Sequence, residues 1–211
     1  MKQKKPDKRK LQGAETKRKL YAIAEKLLFE RNFNEVSIED ITSEAGITKG
    51  AFYVHFASKD ALMAQLIADH AVQVDTNYQA FLDTLPEDWP VSQVLLALAE
   101  KIAEIIADTI GCKNLKAVYQ LMLAGTVDVE SVKGYTRSLY TMCCRVLEKG
   151  ILRGEIDSPL SAEELTRHFV MSIRGVCYEW CVRYPDFDLK AQVREHIQML
   201  LQGICVNKPS Y

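Results

Sequence analysis

An all-α fold is predicted for this 211-residue chain by three observations. Apolar residues recur at helical spacing along most of its length, no segment alternates as a strand would, and capping residues, glycines and prolines punctuate the periodic stretches. Apolar residues make up 48% and charged residues 26%, enough to bury a core and too apolar for a wholly disordered chain. About nine helices are expected.

The first dozen residues are charged and nearly free of apolar groups, and are expected to be disordered. Leu20, Ile23, Leu27 and Leu28, with Ala24 between them, then predict a helix over about 15–31. In Val36-Ser37-Ile38-Glu39-Asp40-Ile41, Ser37 reads as an N-cap with Asp40 as its capping-box acid, and Val36 and Ile41 as the hydrophobic staple. Gly46 ends that short helix. Thr48 caps the next, with Ile47 and Phe52 at the staple positions and Phe52 and Phe56 on the buried face. Two short helices joined through Gly46 make a helix-turn-helix. Ser58 starts a longer helix that ends before Pro86. Beyond Pro90, stripes predict helices up to Gly111, from about Leu115 to Gly125, and over 129–152. The last of these has apolar residues on two sides, one stripe being Val132, Tyr135, Leu139, Met142 and Val146, and is expected to be central. Ser161, with Glu164 three residues on, caps a helix that runs to Pro185, and Val193, Ile197, Leu200, Leu201 and Ile204 mark the last helix.

The formal net charge of −1 hides an asymmetry. Residues 1–19 hold nine basic residues against two acidic ones, whereas residues 61–211 carry a net −5. A basic arm on an acidic chain suits contact with a polyanion, and equally suits a solvated tail. No run of about 18 uncharged apolar residues is present, so no membrane span and no membrane partner are expected. The N-terminus lacks the apolar stretch of a secretory signal, which points to the cytoplasm. Cysteines at 112, 143, 144, 177, 181 and 205 match no zinc template and read as reduced thiols. No metal site, cofactor or catalytic residue is expected: there is no GxGxxG, P-loop, HExxH or nucleophile–base pair, and the four histidines are scattered.

A helix-turn-helix lays its second helix in the DNA major groove. Two oddities in that helix fit such a surface. Lys49 is a cation in a first turn, and Gly50 is a poor helix former whose missing side chain would let backbone approach backbone. Residues 37–62, above all Ala45-Gly46-Ile47-Thr48-Lys49-Gly50-Ala51-Phe52-Tyr53-Val54-His55-Phe56 and Ser58-Lys59-Asp60-Ala61-Leu62, resemble the DNA-binding segment of TetR-type transcriptional regulators. The resemblance is strong over about 15–65; beyond that only length and helical pattern agree.

The resemblance implies a ligand-responsive, homodimeric repressor that binds a palindrome in double-stranded DNA and is released by a small-molecule effector. It divides the chain into a basic arm over 1–13, a helix-turn-helix domain over 14–57, and a ligand-binding and dimerisation domain over 58–211. Thr48, Lys49, Gly50, Ala51 and Tyr53 correspond to the groove-facing set; Tyr53, His55 and Lys59 suit phosphate oxygens, with Thr42 as a further phosphate candidate. Ala51 and Val54 can touch a thymine methyl but donate no hydrogen bond, which leaves Lys49 for base readout. The resemblance also implies pairing through the last two helices. Tyr119, Met122, Met142, Cys143 and Trp180 are candidate pocket residues, because aromatics and methionines suit an adaptable apolar site, although at any one of these positions plain core packing is the stronger reading. His168 is a candidate polar contact. An alternative is a helical regulator that senses oxidant or metal through its cysteines. A helical enzyme and a helical interaction protein are the other classes to separate by experiment.

Overall fold

Residues 8–31 and 35–205 are described by the computed structural model. The helices are α1 (Lys8–Glu30), α2 (Ile38–Ala45), α3 (Lys49–His55), α4 (Lys59–Leu82), α5 (Val91–Glu104), α6 (Gly111–Ala124), α7 (Glu130–Lys133), α8 (Ser138–Leu152), α9 (Ala162–Arg183) and α10 (Leu189–Gln202). A π-helical turn, Ile105–Ile110, joins α5 to α6. Among the described residues there is no strand, only an isolated bridge between Ile156 and Cys205.

Two buried clusters organise these helices. The smaller one gathers Leu20, Leu27, Val36, Ile41, Phe52 and Phe56 with Leu62, Met63 and Leu66 of α4, and it also takes in Ala117 and Leu121 of α6. The larger one is built from the remainder of the chain, with Leu95, Leu98, Leu147, Phe169, Val193 and Ile197 at its centre. α4 therefore serves both: its first turns close the small core, and Tyr78 enters the large one. α8 packs on α4, α5 and α9, as its two apolar sides require, and α10 packs on α5 and α9.

Three expectations are corrected. Residues 8–12, inside the stretch expected to be disordered, are helical, because Lys and Arg are good helix formers and charge alone does not forbid a helix. Residues 1–7 of the expected basic arm lie outside the described residues. The single helix expected over 129–152 is broken between Lys133 and Ser138, and Tyr135, assigned to a buried stripe, is exposed.

The break has a cause on another element. Asp75 of α4 is buried, and its carboxylate accepts hydrogen bonds from Arg137 Nε (3.0 Å) and Nη2 (2.6 Å) and from the Leu139 N–H (3.2 Å). An acid from a distant helix thus satisfies one of the open N–H groups at the start of α8. Glu155 does the same for α5, accepting the Val91 N–H at 2.6 Å.

Close approach elsewhere depends on Gly150 of α8. A Cβ there would lie 2.8 Å from Ile156 Cδ1 and 2.9 Å from Val91 Cγ1. Gly150→Val should therefore lower the unfolding free energy by about 1–3 kcal/mol, measured by urea denaturation at fixed protein concentration, through overpacking.

Candidate nucleic-acid interface

The α2–α3 pair is specified almost residue by residue. Ser37 Oγ accepts the Asp40 N–H at 3.1 Å, and the Asp40 carboxylate accepts the Ser37 N–H at 2.8 Å. The Ser37 hydroxyl and N–H hold the Asp40 carboxyl below the usual carboxylate range. This cap is complete at neutral pH and is lost as pH falls through that lowered value. Gly46 adopts φ +65°, where an L side chain is strained, and turns the chain from α2 toward α3. Thr48 Oγ1 then accepts the Ala51 N–H at 3.2 Å and starts α3. Phe52 and Phe56 are buried and anchor α3 on the small core. The opposite face is left to solvent: Thr48, Lys49 and Gly50 are exposed, as are Tyr53 (54%) and Val54 (79%).

Each candidate has a distinct environment. Lys49 is exposed and ion-paired with Glu39 of α2. Gly50 has room for a side chain, since a Cβ there would meet only Thr48 Oγ1, at 3.8 Å. The fold itself therefore does not demand glycine at this point. Ala51 is half-buried; the ring of Tyr53 packs edge-on against Phe52 at 5.5 Å while the side chain stays exposed. His55 is half-buried beside Gly13 of α1. Lys59 donates to the Val36 carbonyl at 2.9 Å, bracing the turn that leads into α2. Thr42 is set apart from this group: it is buried, and its hydroxyl donates to the Glu39 carbonyl at 3.3 Å, so it is turned into its own helix. Sequence reasoning missed Glu39 as the partner of Lys49. The signal was present, as an acid in the first turn of α2, but it reads there as an ordinary helix-dipole partner.

Four of the five candidate pocket residues, Tyr119, Met142, Cys143 and Trp180, belong to the larger cluster or pack against it. Met142, Cys143 and Trp180 are buried in its core. Tyr119 and Met122 are half-buried, and Tyr119 donates its hydroxyl to the Arg174 carbonyl at 3.1 Å. Two grooves open on the surface, one between α9 and α10 (about 590 Å³) and one between α4 and the segment before α7 (about 460 Å³); neither is lined by these five residues. His168 lines the first groove, on the outside of α9. The outer face of α9 and α10 is apolar for an exposed surface, with Met171, Tyr178, Val182 and Met199 all solvent-facing. Gly175 stands among them with no atom within 4 Å of where a Cβ would be.

All six cysteines are free thiols. Burial pushes those of Cys143, Cys177 and Cys181 up to about 12, the last also through neighbouring Cys112. They are protonated at neutral pH and poorly suited to react with oxidants as thiolates.

Comparison with known proteins agrees with this geometry. Residues 20–66 match the sequence profile of the bacterial regulatory proteins, tetR family. The HTH-type transcriptional repressor BepR of Brucella suis is 25% identical over 203 residues, covering 92% of this chain and 94% of its own. The HTH-type regulator AcrR of Shigella flexneri is 23% identical over 92% of both chains. Among solved structures, a TetR-family regulator from Pectobacterium atrosepticum superposes with a TM-score of 0.76 at 22% identity, covering 93% of this chain and 97% of its own. FadR from Bacillus subtilis, in complex with stearoyl-CoA, superposes with a TM-score of 0.68 at 19% identity, over 88% of this chain and 98% of its own. The profile match falls on the segment that builds α1–α3 and the start of α4: residues 20–66 carry the segment characteristic of the bacterial regulatory proteins, tetR family, and the chain is similar along its length to HTH-type transcriptional regulators.

Proposed function

We propose that the protein is a homodimeric repressor that reads a palindromic operator with α3 and releases it when a small-molecule effector binds the larger unit. The outward face of α3 carries this reading: Phe52 and Phe56 turn inward as anchors, while Lys49, Gly50, Tyr53 and Val54 are exposed to solvent. Lys49 reads base edges and Val54 a thymine methyl; the missing side chain at Gly50 admits the backbone; Tyr53 and His55 hold phosphates. Lys59 adds a phosphate contact while keeping its bond to the Val36 carbonyl. To engage DNA, Lys49 exchanges Glu39 for the duplex.

A mobility-shift assay on the DNA flanking its own coding region tests this, and affinity should fall steeply with salt as counterions are released. Lys49→Ala should narrow the gap between operator and unrelated DNA, whereas Lys59→Ala should weaken both alike. Glu39→Gln should tighten binding to both several-fold by freeing Lys49. Equal losses from the two lysine changes would refute the assigned roles.

Pairing through α9 and α10 is supported by their exposed apolar face. Mid-helix glycine costs roughly 0.8–1 kcal/mol, and nothing in the chain explains it at Gly175; a second helix packed there does. Two helices from each subunit then form a four-helix interface, which spaces the recognition helices for successive turns of one groove. Gly175→Leu should yield monomers by light scattering, with helicity retained.

For the effector, the proposed lining is Tyr119 at the edge of the larger core, half-buried Met122 one turn further along α6, and Met142, Cys143 and Trp180 within the core. FadR from Bacillus subtilis, similar in fold, was solved in complex with stearoyl-CoA, which supports a small-molecule effector for this chain. Effectors that release operator DNA should lose potency with Met122→Trp, which crowds that lining.

A further inference from the structure

Cys144 and Glu148 stand one turn apart on α8, and Glu163 lies in the first turn of α9. Their side chains converge: the Cys144 sulfur and one carboxylate oxygen from each glutamate all lie within 4.8 Å of one another. The thiol donates to Glu148 Oε1 at 3.8 Å. Among the described residues, neither glutamate forms an ion pair with any Lys, Arg or His. Two carboxylates are thus brought together with a thiol across a helix–helix contact, a donor arrangement that a cation would complement.

A second observation is independent of the acids. Thr166, on the next turn of α9, has its side chain beside the Cys144 sulfur. It is 2% exposed, and its buried hydroxyl oxygen has no partner other than the neighbouring Cys144 sulfur. Buried hydroxyls are nearly always fully satisfied, so one whose single neighbour is this thiol has bonding capacity left for a further ligand.

We propose that Cys144, Glu148 and Glu163 bind a divalent cation of the zinc class, with the Thr166 hydroxyl facing the same point. The donor set decides the class. A sulfur with two carboxylates suits Zn²⁺ or Co²⁺, whereas Mg²⁺ and Ca²⁺ take oxygen ligands only. Three protein donors leave a fourth tetrahedral position for water. Metal–ligand distances of about 2.0–2.3 Å put tetrahedral donors about 3.3–3.7 Å apart, so the present cluster contracts by about 1 Å, within reach of two exposed glutamates. On binding, the Cys144 S–H bond breaks, the S–metal bond forms, and the proton passes to solvent. The ion ties α8 to α9. Cys143, adjacent in sequence, is buried on another face of α8 and takes no part.

The test is a Co²⁺ titration of the reduced full-length protein. One equivalent should produce a thiolate-to-cobalt charge-transfer absorption that Zn²⁺ abolishes by displacement and Mg²⁺ does not. Cys144→Ser should remove the band. The Glu148→Gln/Glu163→Gln pair keeps all six thiols and should weaken Co²⁺ at least about tenfold, the scale of losing ligands or their supports. Cys205→Ser should change nothing, and circular dichroism should show each variant folded. Absence of a thiolate band in the parent protein, a band that survives Cys144→Ser, or one indifferent to the glutamine pair would each overturn the proposal.

Discussion

Arg137→Leu should lower the unfolding free energy by about 3–5 kcal/mol, the cost of leaving a buried charge unpaired. Asp75 is 4% exposed and receives both guanidinium contacts, so the variant would keep a buried carboxylate with only the Leu139 N–H to face it. Replacing both partners, Asp75→Leu with Arg137→Leu, should recover much of the loss, because two apolar side chains leave no charge to solvate. Urea unfolding at fixed protein concentration measures both. A loss below about 1 kcal/mol in the single variant would mean that the pair is hydrated in solution and worth no more than a surface ion pair.

Phe52→Ala should cost about 3–5 kcal/mol locally, as for other large aromatic truncations. Phe52 is fully buried, meets Phe56 at 5.7 Å and Tyr53 edge-on, and belongs to the small cluster. Hydrogen exchange should therefore accelerate in α2 and α3 while α8–α10 keep their protection. Operator affinity should fall with it, since α3 loses its anchor. Tyr53→Phe provides the contrast: it removes one exposed hydroxyl, so stability should be unchanged and only DNA affinity should drop. If Phe52→Ala left exchange in α2 and α3 at parental rates, the two-cluster organisation would be wrong.

What could be read from the sequence was local. Ser37 and Asp40, Gly46, Thr48, and Ser161 with Glu164 each act within four residues, and the structure realises each of them. The inward turn of Phe52 and Phe56 followed from helical spacing alone. What escaped was set at long range. The start of α8 depends on Asp75, 62 residues before Arg137, so a continuous apolar pattern across Gly134 concealed the break. The π-helical turn over Ile105–Ile110 leaves no mark in a 3.6-residue pattern. Glu39 is visible as an acid near a helix start, but its pairing with Lys49 requires the turn at Gly46 to be folded. Cys144 and Glu148 share a helix face, yet Glu163 reaches them only after the chain reverses through Pro159, and no zinc spacing spans such a gap.

Ala117 and Leu121 lend the smaller core two side chains from α6, far along the chain. Excising residues 8–66 as a free-standing operator-binding module would strip away that cover and bare an oily notch. Such a fragment should clump unless the notch is recut with polar substitutions. The same two side chains tie α6 to the core on which α3 is anchored, so substitutions made in α6 to alter the proposed effector response should also shift the proposed DNA affinity.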